Sequence, residues 1–286
     1  MTIIAFLRSH WVLRDYFSRV GKMPKYFIPH DFEKVAQGFS SASFIHIPKT
    51  GGSYIGSLRD EFGNRVFHSL GHSCCLDPNT PNIKKYWPIE KMPHTSCLNN
   101  SRFKKDFVFA MVRNPFDMLV SYYYHDSQSG WESCRLNSIT RLHPQLANGQ
   151  KRKYDFSTFE SFIHAFCDPD FLWHKPALKD FLFFQIFHNS GDAMIPFVGK
   201  YEYIDFCSNA FCNVIYGNSR SVLAQEPVNT GRVRKSKDYR VFYTDKMIEM
   251  INQKCALELE MFGYSFEGTD ERAIVDVRPL KVKLIY

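Results

Sequence analysis

The chain has 286 residues and carries 36 Lys and Arg against 29 Asp and Glu, which gives a formal net charge of +7 at pH 7. This excess suits an anionic ligand. The sequence has no long basic tract, no zinc-finger spacing and no aromatic RNA-binding motif, which are features of nucleic-acid-binding proteins. We therefore expect no nucleic-acid partner. No apolar run reaches the roughly 20 residues of a membrane span, so we expect no integral membrane segment.

The eight cysteines indicate a reducing compartment. None of them forms a Cys-x-x-Cys pair. Disulfides belong to oxidising compartments, and the apolar N-terminal segment is interrupted by Arg8 and Arg14, unlike a signal peptide. We therefore expect free thiols and a cytoplasmic protein. No Cys and His cluster has metal-ligand spacing, so no metal site is expected.

Buried strands and helices alternate along the sequence. An amphipathic helix is predicted within residues 1–22, and residues 72–104 read as a long irregular segment. Apolar runs predict strands at 44–48, 107–112 and 197–201, and apolar periodicity predicts helices at 53–62, 117–125, 156–167, 177–188, 203–216 and 245–262. This order favours an α/β fold with a P-loop-like, mainly parallel central sheet flanked by helices.

The chain shows no linker that would divide it. We expect one domain at residues 41–270, a helical extension at 1–40 and a C-terminal tail at 271–286.

The first predicted strand runs into the sequence FIHIPKTGGS at residues 44–53. A strand, a Gly-rich turn and a helix form an anion site, because successive N–H groups point into one concavity. Gly51 and Gly52 permit close approach, Ser53 can cap the helix or donate, and Lys49 places a cation at the mouth. In the Walker A pattern the lysine follows the glycines instead, so phosphate binding is indicated while a kinase or GTPase is disfavoured.

The second predicted strand continues as FVFAMVRNPFDMLVSYYYH at residues 107–125. Arg113 stands at its carboxyl end, where α/β folds bind ligands. Ser121 follows eight residues later, within the next helix. Arg113 can clamp a phosphate through two N–H groups and Ser121 can donate to it. The sequence thus predicts two phosphate sites for one ligand.

These motifs resemble those of a known family. IHIPKTGGS resembles the 5′-phosphosulfate-binding loop of sulfotransferases that use 3′-phosphoadenosine 5′-phosphosulfate (PAPS), and VRNPFDMLVSYYY resembles their 3′-phosphate motif. The similarity is to the carbohydrate branch, typified by heparan sulfate 2-O- and 6-O-sulfotransferases, and to its soluble bacterial members. It extends to FVGKYEYID and to residues 239–266. It implies the sulfotransferase fold, PAPS as donor, 3′-phosphoadenosine 5′-phosphate (PAP) as product, and no metal.

The resemblance implies roles for particular residues. Lys49 would stabilise the charge that develops on the leaving phosphate, and Arg113 and Ser121 would hold the 3′-phosphate. The 5′-phosphate would lie against Thr50, Gly51, Gly52, Ser53 and Tyr54. A basic loop at residues 228–238 would close over the nucleotide through Arg232, Arg234 or Lys235, although a solvated charged loop is the alternative.

The general base is expected to be a histidine, because a neutral imidazole accepts a proton near pH 7. His72, in SLGHSC, resembles the position of the family's catalytic histidine. His68 is the second candidate. His46 is expected to pack and His125 to cap its helix.

Net charge and aromatic residues bear on the nature of the acceptor. The modest net charge disfavours a polyanionic acceptor such as a sulfated polysaccharide chain. Aromatic residues that we expect in loops suit a small metabolite or a sugar as acceptor. These residues are Tyr122, Tyr123, Tyr124, Trp131, Phe171 and Trp173. We expect transfer to a hydroxyl or amine of a small secondary metabolite, in biosynthesis, with a saccharide hydroxyl as the alternative. A P-loop nucleotide kinase and an inactive nucleotide-binding protein are the alternatives from other classes.

Overall fold

The fold was analysed in a computed structural model, which describes residues 27–47, 49–71, 100–128, 157–168, 185–188, 190–217 and 236–282, without the side chains of 125–128. The helix predicted within residues 1–22 and residues 177–184 of another predicted helix lie outside these ranges.

Helices and strands alternate through the described chain, as the sequence predicts. The elements are α1 (Phe32–Ala36), β1 (Ala42–Ile45), α2 (Gly52–Ser57), β2 (His68–Ser69), α3 (Ser101–Lys105), β3 (Phe107–Val112), α4 (Pro115–Gln128), α5 (Phe159–Cys167), β4 (Phe197–Lys200), α6 (Ile204–Tyr216), α7 (Asp245–Lys254), α8 (Ala256–Phe262), β5 (Tyr264–Ser265), β6 (Gly268–Thr269) and β7 (Ile274–Asp276). Short 3-10 turns at Tyr201–Tyr203 and Tyr239–Phe242 precede α6 and α7.

In the described part of the chain, five strands form the central sheet in the order β2-β1-β3-β4-β7. The first four are parallel and β7 is antiparallel to β4. This confirms the α/β fold with a mainly parallel sheet flanked by helices. β1 has β2 on one side and β3 on the other, so the strand order reverses direction there. In α/β proteins, ligands bind beyond the carboxyl ends of the strands at such a point.

The central strands are buried on both faces. Every residue of β1, β3 and β4 is buried. Phe107 and Phe109 pack with α1 and α6, while Val108 and Ala110 pack with α4, α5, α7 and α8. Phe109 stacks on Phe211 of α6 with 4.2 Å between ring centroids. In the described part of the chain, the abundant phenylalanine therefore builds an aromatic core.

Two predicted helices differ from the structure. The helix predicted at 53–62 ends at Ser57, because Leu58 is extended and its side chain is buried. A carboxylate oxygen of Asp60 then accepts N–H bonds from Phe62 and Asn64, which closes a turn. The helix predicted at 245–262 is two helices, α7 and α8, divided at Cys255.

The segment 271–286, expected to be a tail, contributes β7 to the sheet. Ile274 and Val275 are buried against β4. Beyond the strand, Arg278 binds Asp276 and Asp31 at 2.6 Å each, which joins this segment to the start of α1. Such a short strand has no periodicity that the sequence could reveal.

Candidate donor-binding site

The two sequence motifs meet at one edge of the sheet. β1 and β3 are parallel and paired from Ala42↔Phe107 to Ile45↔Ala110. Their carboxyl ends therefore lie side by side, and Lys49 and Arg113 follow them. An Nη1–H of Arg113 donates to the carbonyl oxygen of Lys49 at 3.0 Å. A hydrogen bond thus connects the two candidate phosphate sites directly.

The loop after β1 has an unusual backbone. Lys49 has φ 64°, and no other non-glycine residue of the described ranges has a positive φ. Such a conformation costs free energy and is found mainly where the surrounding structure imposes it, often at functional sites. Gly51 follows with φ 86° as the N-cap of α2. The buried Thr50 hydroxyl donates to the carbonyl of Ile47 at 2.8 Å, so this side chain braces the loop.

The glycines allow neighbouring groups to approach the loop closely. A Cβ on Gly52 would lie 2.0 Å from Cδ2 and 2.3 Å from Nε2 of His46. A Cβ on Gly51 would lie 2.5 Å from Cδ1 of Ile204 and 2.9 Å from Cδ2 of Tyr201. Larger residues would displace these side chains. His46 therefore packs beneath the loop, as the sequence analysis expected.

The loop leaves several N–H donors without acceptors. The first N–H groups of a helix have no partner within it. Among the described residues, none accepts from the N–H groups of Gly52, Ser53 and Tyr54. The Ser53 side chain is exposed. The Tyr54 hydroxyl instead donates to a carboxylate oxygen of Asp205 at 2.6 Å, so only the N–H group of Tyr54 is left to face a phosphate.

Arg113 is held on its edges and on one face. Its Nε–H and an Nη2–H donate to the same oxygen of Asp117 at 2.8 and 2.6 Å. The guanidinium carbon lies 4.2 Å from the centroid of the Tyr201 ring. With the bond to Lys49, three of the five guanidinium N–H groups are used. Within the described chain, two N–H groups remain for a ligand.

Ser121 lies on the helix face next to this arginine. It follows Asp117 by four residues on α4, and residues four apart share a helix face. Ser121 is half-buried, and its hydroxyl has no partner among the described residues. Pro115 begins α4, while the Asn114 carboxamide oxygen accepts from the Phe116 N–H at 3.1 Å and caps the helix.

An acid with two hydrogen-bond donors follows the third predicted strand. Glu202 accepts from the Asn114 N–H at 2.8 Å and from the Tyr264 hydroxyl at 2.9 Å. Partial desolvation of the carboxylate by the surrounding protein raises the pKa of Glu202 above its usual value, and these two hydrogen bonds oppose that rise. Both carboxylate oxygens thus accept from protein groups. Within the described ranges, no cluster of three or more His, Cys, Asp or Glu is placed to hold a metal ion.

The two histidine candidates occupy different places. His68 lies in β2 and pairs with Ser43, whose hydroxyl donates to a carboxylate oxygen of Asp106, the residue before β3. It therefore lies towards the amino edge of the sheet. His72 is outside the described residues. The carbonyl of Gly71, just before it, accepts from the His46 N–H at 2.8 Å, beside the entrance to the loop.

Arg232, Arg234 and Lys235 also lie outside the described residues. The chain that follows them is anchored near Arg113. The Tyr239 hydroxyl donates to the carbonyl of Phe266 at 2.6 Å. Asn114 donates to the carbonyls of Ser265 and Gly268 at 2.8 and 3.0 Å. Asn114 thereby ties the β5–β6 hairpin to the end of β3.

The tyrosines expected to face the acceptor belong to α4. Tyr122 is buried. Tyr123 packs edge-on against Phe159 at 5.4 Å, and Tyr124 packs against Phe242 at 5.3 Å. The expectation that these three rings lie in a loop is wrong, because all three belong to α4, which runs from Pro115 to Gln128 and continues past the predicted end at 125. His125 accordingly lies within the helix rather than at its end.

Sequence reasoning missed the residues that hold Arg113. The four-residue spacing of Arg113 and Asp117 on a predicted helix end was a readable signal for an ion pair. Tyr201 gave none, because the pairing of β3 with β4 brings it to Arg113 from a separate part of the chain.

The fold and this edge define the class of the protein: an α/β protein with an anion-binding loop after β1 and a fixed arginine after β3. A model of the sulfotransferase family matches residues 36–265, which include both motifs. The chain belongs to the sulfotransferase family, whose members transfer sulfuryl groups. Comparisons with curated proteins and with solved structures gave no match. Of the helices in the described ranges, none is long and apolar enough to span a membrane.

Proposed function

We propose that this protein transfers a sulfuryl group from PAPS to a hydroxyl or amine of a small-molecule acceptor. The observation that carries the proposal is the direct hydrogen bond between Arg113 and the Lys49 carbonyl. It joins two anion sites that use different donors. PAPS carries phosphate at both its 5′ and 3′ positions, so one ligand would occupy both.

The residues present fit such a donor. Gly51 and Gly52 keep Cβ atoms away from the loop, whose N–H groups are available to phosphate oxygens. The two remaining N–H groups of Arg113, with the Ser121 hydroxyl, would bind the 3′-phosphate. We assign the 5′-phosphate to the loop N–H groups, and we keep Arg232, Arg234 and Lys235 as candidates for closing over the nucleotide.

Lys49 is the proposed catalytic cation. PAPS supplies an activated sulfuryl group with a phosphate as leaving group. Negative charge grows on that phosphate as the sulfuryl group departs, and a positioned ammonium stabilises it. The left-handed backbone of Lys49 fixes where its side chain begins. No metal is required for this role.

His72 is the proposed general base. A proton must leave the acceptor's hydroxyl or amine as its bond to sulfur forms, and a neutral imidazole can take it. The hydrogen bond between Gly71 and His46 supports this choice, because it brings the chain to the loop just before residue 72. The pairing of His68 with Ser43, which is bonded to Asp106 at the start of β3, argues against the second candidate.

A nucleotide kinase is the competing function, and Glu202 bears on it. Kinases hold Mg²⁺ with an acid near the phosphates. The acid after β4 is instead committed to Asn114 and Tyr264. Thermal unfolding with PAP and with ADP, each with and without Mg²⁺, tests the two functions. A ligand at about 100 times its Kd adds roughly 2.7 kcal/mol of stability.

We expect a stabilisation by PAP that is independent of Mg²⁺, followed by turnover of PAPS with one or more acceptors from a panel of small alcohols, phenols, amines and saccharides. Stabilisation by ADP only in the presence of Mg²⁺ would replace this function with that of a kinase. Binding of PAP without turnover of any acceptor would favour an inactive nucleotide-binding protein.

A further inference from the structure

Tyr201 contacts both candidate phosphate sites. It is the first residue after β4, and its ring lies beneath the guanidinium of Arg113, 4.2 Å from centroid to Cζ. The same ring packs on Gly51, where a Cβ would lie 2.9 Å from Cδ2 and 3.1 Å from Cε2. One side chain therefore lies between the loop and the arginine.

The Tyr201 ring supports a flat face of the Arg113 guanidinium, whereas the hydrogen bonds hold only its edges. Asp117 holds the Nε side and the Lys49 carbonyl holds Nη1, both within the guanidinium plane. In-plane hydrogen bonds leave the guanidinium able to tilt out of that plane. An aromatic face beneath it opposes the tilt through cation–π attraction and contact.

We propose that Tyr201 is a positioning residue that orients Arg113 against the loop and so gives the enzyme its preference for a nucleotide with a 3′-phosphate. This inference rests on the proposed function. The aromatic ring of Tyr201, rather than its hydroxyl, makes the positioning contacts. Ring atoms contact Arg113 and Gly51, while the hydroxyl has no partner among the described residues.

The test compares two nucleotides that differ only in the 3′-phosphate, PAP and AMP. Their dissociation constants are measured by calorimetry for the wild type, Tyr201→Leu and Tyr201→Phe. The leucine variant should bind PAP about tenfold more weakly, the equivalent of one cation–π contact, and AMP within about twofold of the wild type. The phenylalanine variant keeps the ring and should bind both nucleotides like the wild type.

Tyr203 provides a matched control in the same 3-10 turn. Its hydroxyl donates to the carbonyl of Asp270 at 2.9 Å, away from Arg113. Tyr203→Leu should lower the thermal stability and leave the ratio of the PAP and AMP constants unchanged. If Tyr201→Leu does not fold, Tyr201→Met fills more of the space and gives the same comparison.

The possible outcomes distinguish a failure of the proposed function from a failure of the role proposed for Tyr201. A wild type that binds PAP no better than AMP overturns the proposed function and this inference with it. A wild type that prefers PAP, with an unchanged preference in Tyr201→Leu, overturns the inference alone. An equal loss in the phenylalanine and leucine variants also overturns it, since the hydroxyl would then be responsible.

Discussion

Replacing Gly52 with alanine tests how the candidate phosphate loop is packed. The new Cβ would lie 2.0–2.5 Å from three atoms of the His46 imidazole. Real Cβ atoms do not approach other atoms this closely, so the ring or the loop must move. Gly56 lies on the same helix, and a Cβ there would meet only Cζ of Phe44 at 3.5 Å, an ordinary contact.

The expected changes in the free energy of unfolding follow from the surroundings of Gly52 and Gly56. Alanine in place of an unhindered helical glycine stabilises a protein by about 0.5–1 kcal/mol. Overpacking costs about 1–3 kcal/mol, and the imidazole lies beneath the backbone rather than at a flexible chain end. We therefore expect Gly52→Ala to destabilise the protein by about 2 kcal/mol and Gly56→Ala to stabilise it by about 0.5 kcal/mol.

Thermal unfolding monitored by circular dichroism measures the difference. At roughly 2–4 °C for each kcal/mol, the two variants should differ in Tm by about 5–10 °C. Gly52→Ala should also weaken the binding of PAP, because displacement of the loop changes where its N–H groups point.

The double variant His46→Ala/Gly52→Ala identifies the cause. Removing the imidazole makes room for the methyl group, so the second alanine should cost much less in the His46→Ala background than in the wild type. Equal Tm values for Gly52→Ala and Gly56→Ala, or the same cost of Gly52→Ala in both backgrounds, would refute the packing argument.

Four further predictions concern the site and the core. Lys49→Ala should lower kcat by about 100-fold or more at unchanged Tm, since alanine and lysine tolerate φ 64° equally poorly; a wild-type rate would remove Lys49 from catalysis. His72→Ala should lower kcat far more than it weakens PAP binding, whereas His68→Ala should not, and the reverse pattern would exchange their roles. Arg113→Ala should weaken PAP binding by about 10–100-fold and AMP binding much less, and equal losses would contradict its assignment to the 3′-phosphate. For Asp106, burial raises the pKa, but hydrogen bonds from two serine hydroxyls and the nearby charge of Arg102 together outweigh burial and hold it below 3.8. Its contribution to stability is therefore present above pH 3.8 and is lost as the pH falls through the lower folded pKa. Urea unfolding from pH 6 to pH 2 should show a smaller loss for Asp106→Asn than for the wild type, and parallel losses would show that this carboxylate is not responsible.

The sequence revealed the parts of the site that are local in the chain. The loop at Lys49 and the strand end at Arg113 are each encoded in a run of about ten residues, in which apolar periodicity and glycine placement can be read directly. The strands that carry them were predicted for the same reason, since parallel buried strands appear as continuous apolar runs.

Contacts between residues far apart in the chain could not be predicted from the sequence. The support of Arg113 by Tyr201 joins residues 88 positions apart in the chain, and the bond from Arg113 to the Lys49 carbonyl spans 64 positions. Neither the strand order nor the left-handed conformation of Lys49 has a compositional signature. The break at Cys255 was missed because the apolar spacing continues through it.

The position of β7 has a consequence for synthesis of the chain. Until residues 274–276 are made, β4 is the outermost described strand of the sheet, and among the described residues its backbone groups have no strand partner on that side. β4 is also fully buried in the finished fold, so a nascent chain exposes an apolar edge of the kind that pairs with other chains. A ribosome that pauses before residue 274 would hold an aggregation-prone intermediate. β7, the last strand of the described chain, thus protects the sheet from self-association, and chaperone demand should fall once it is in place.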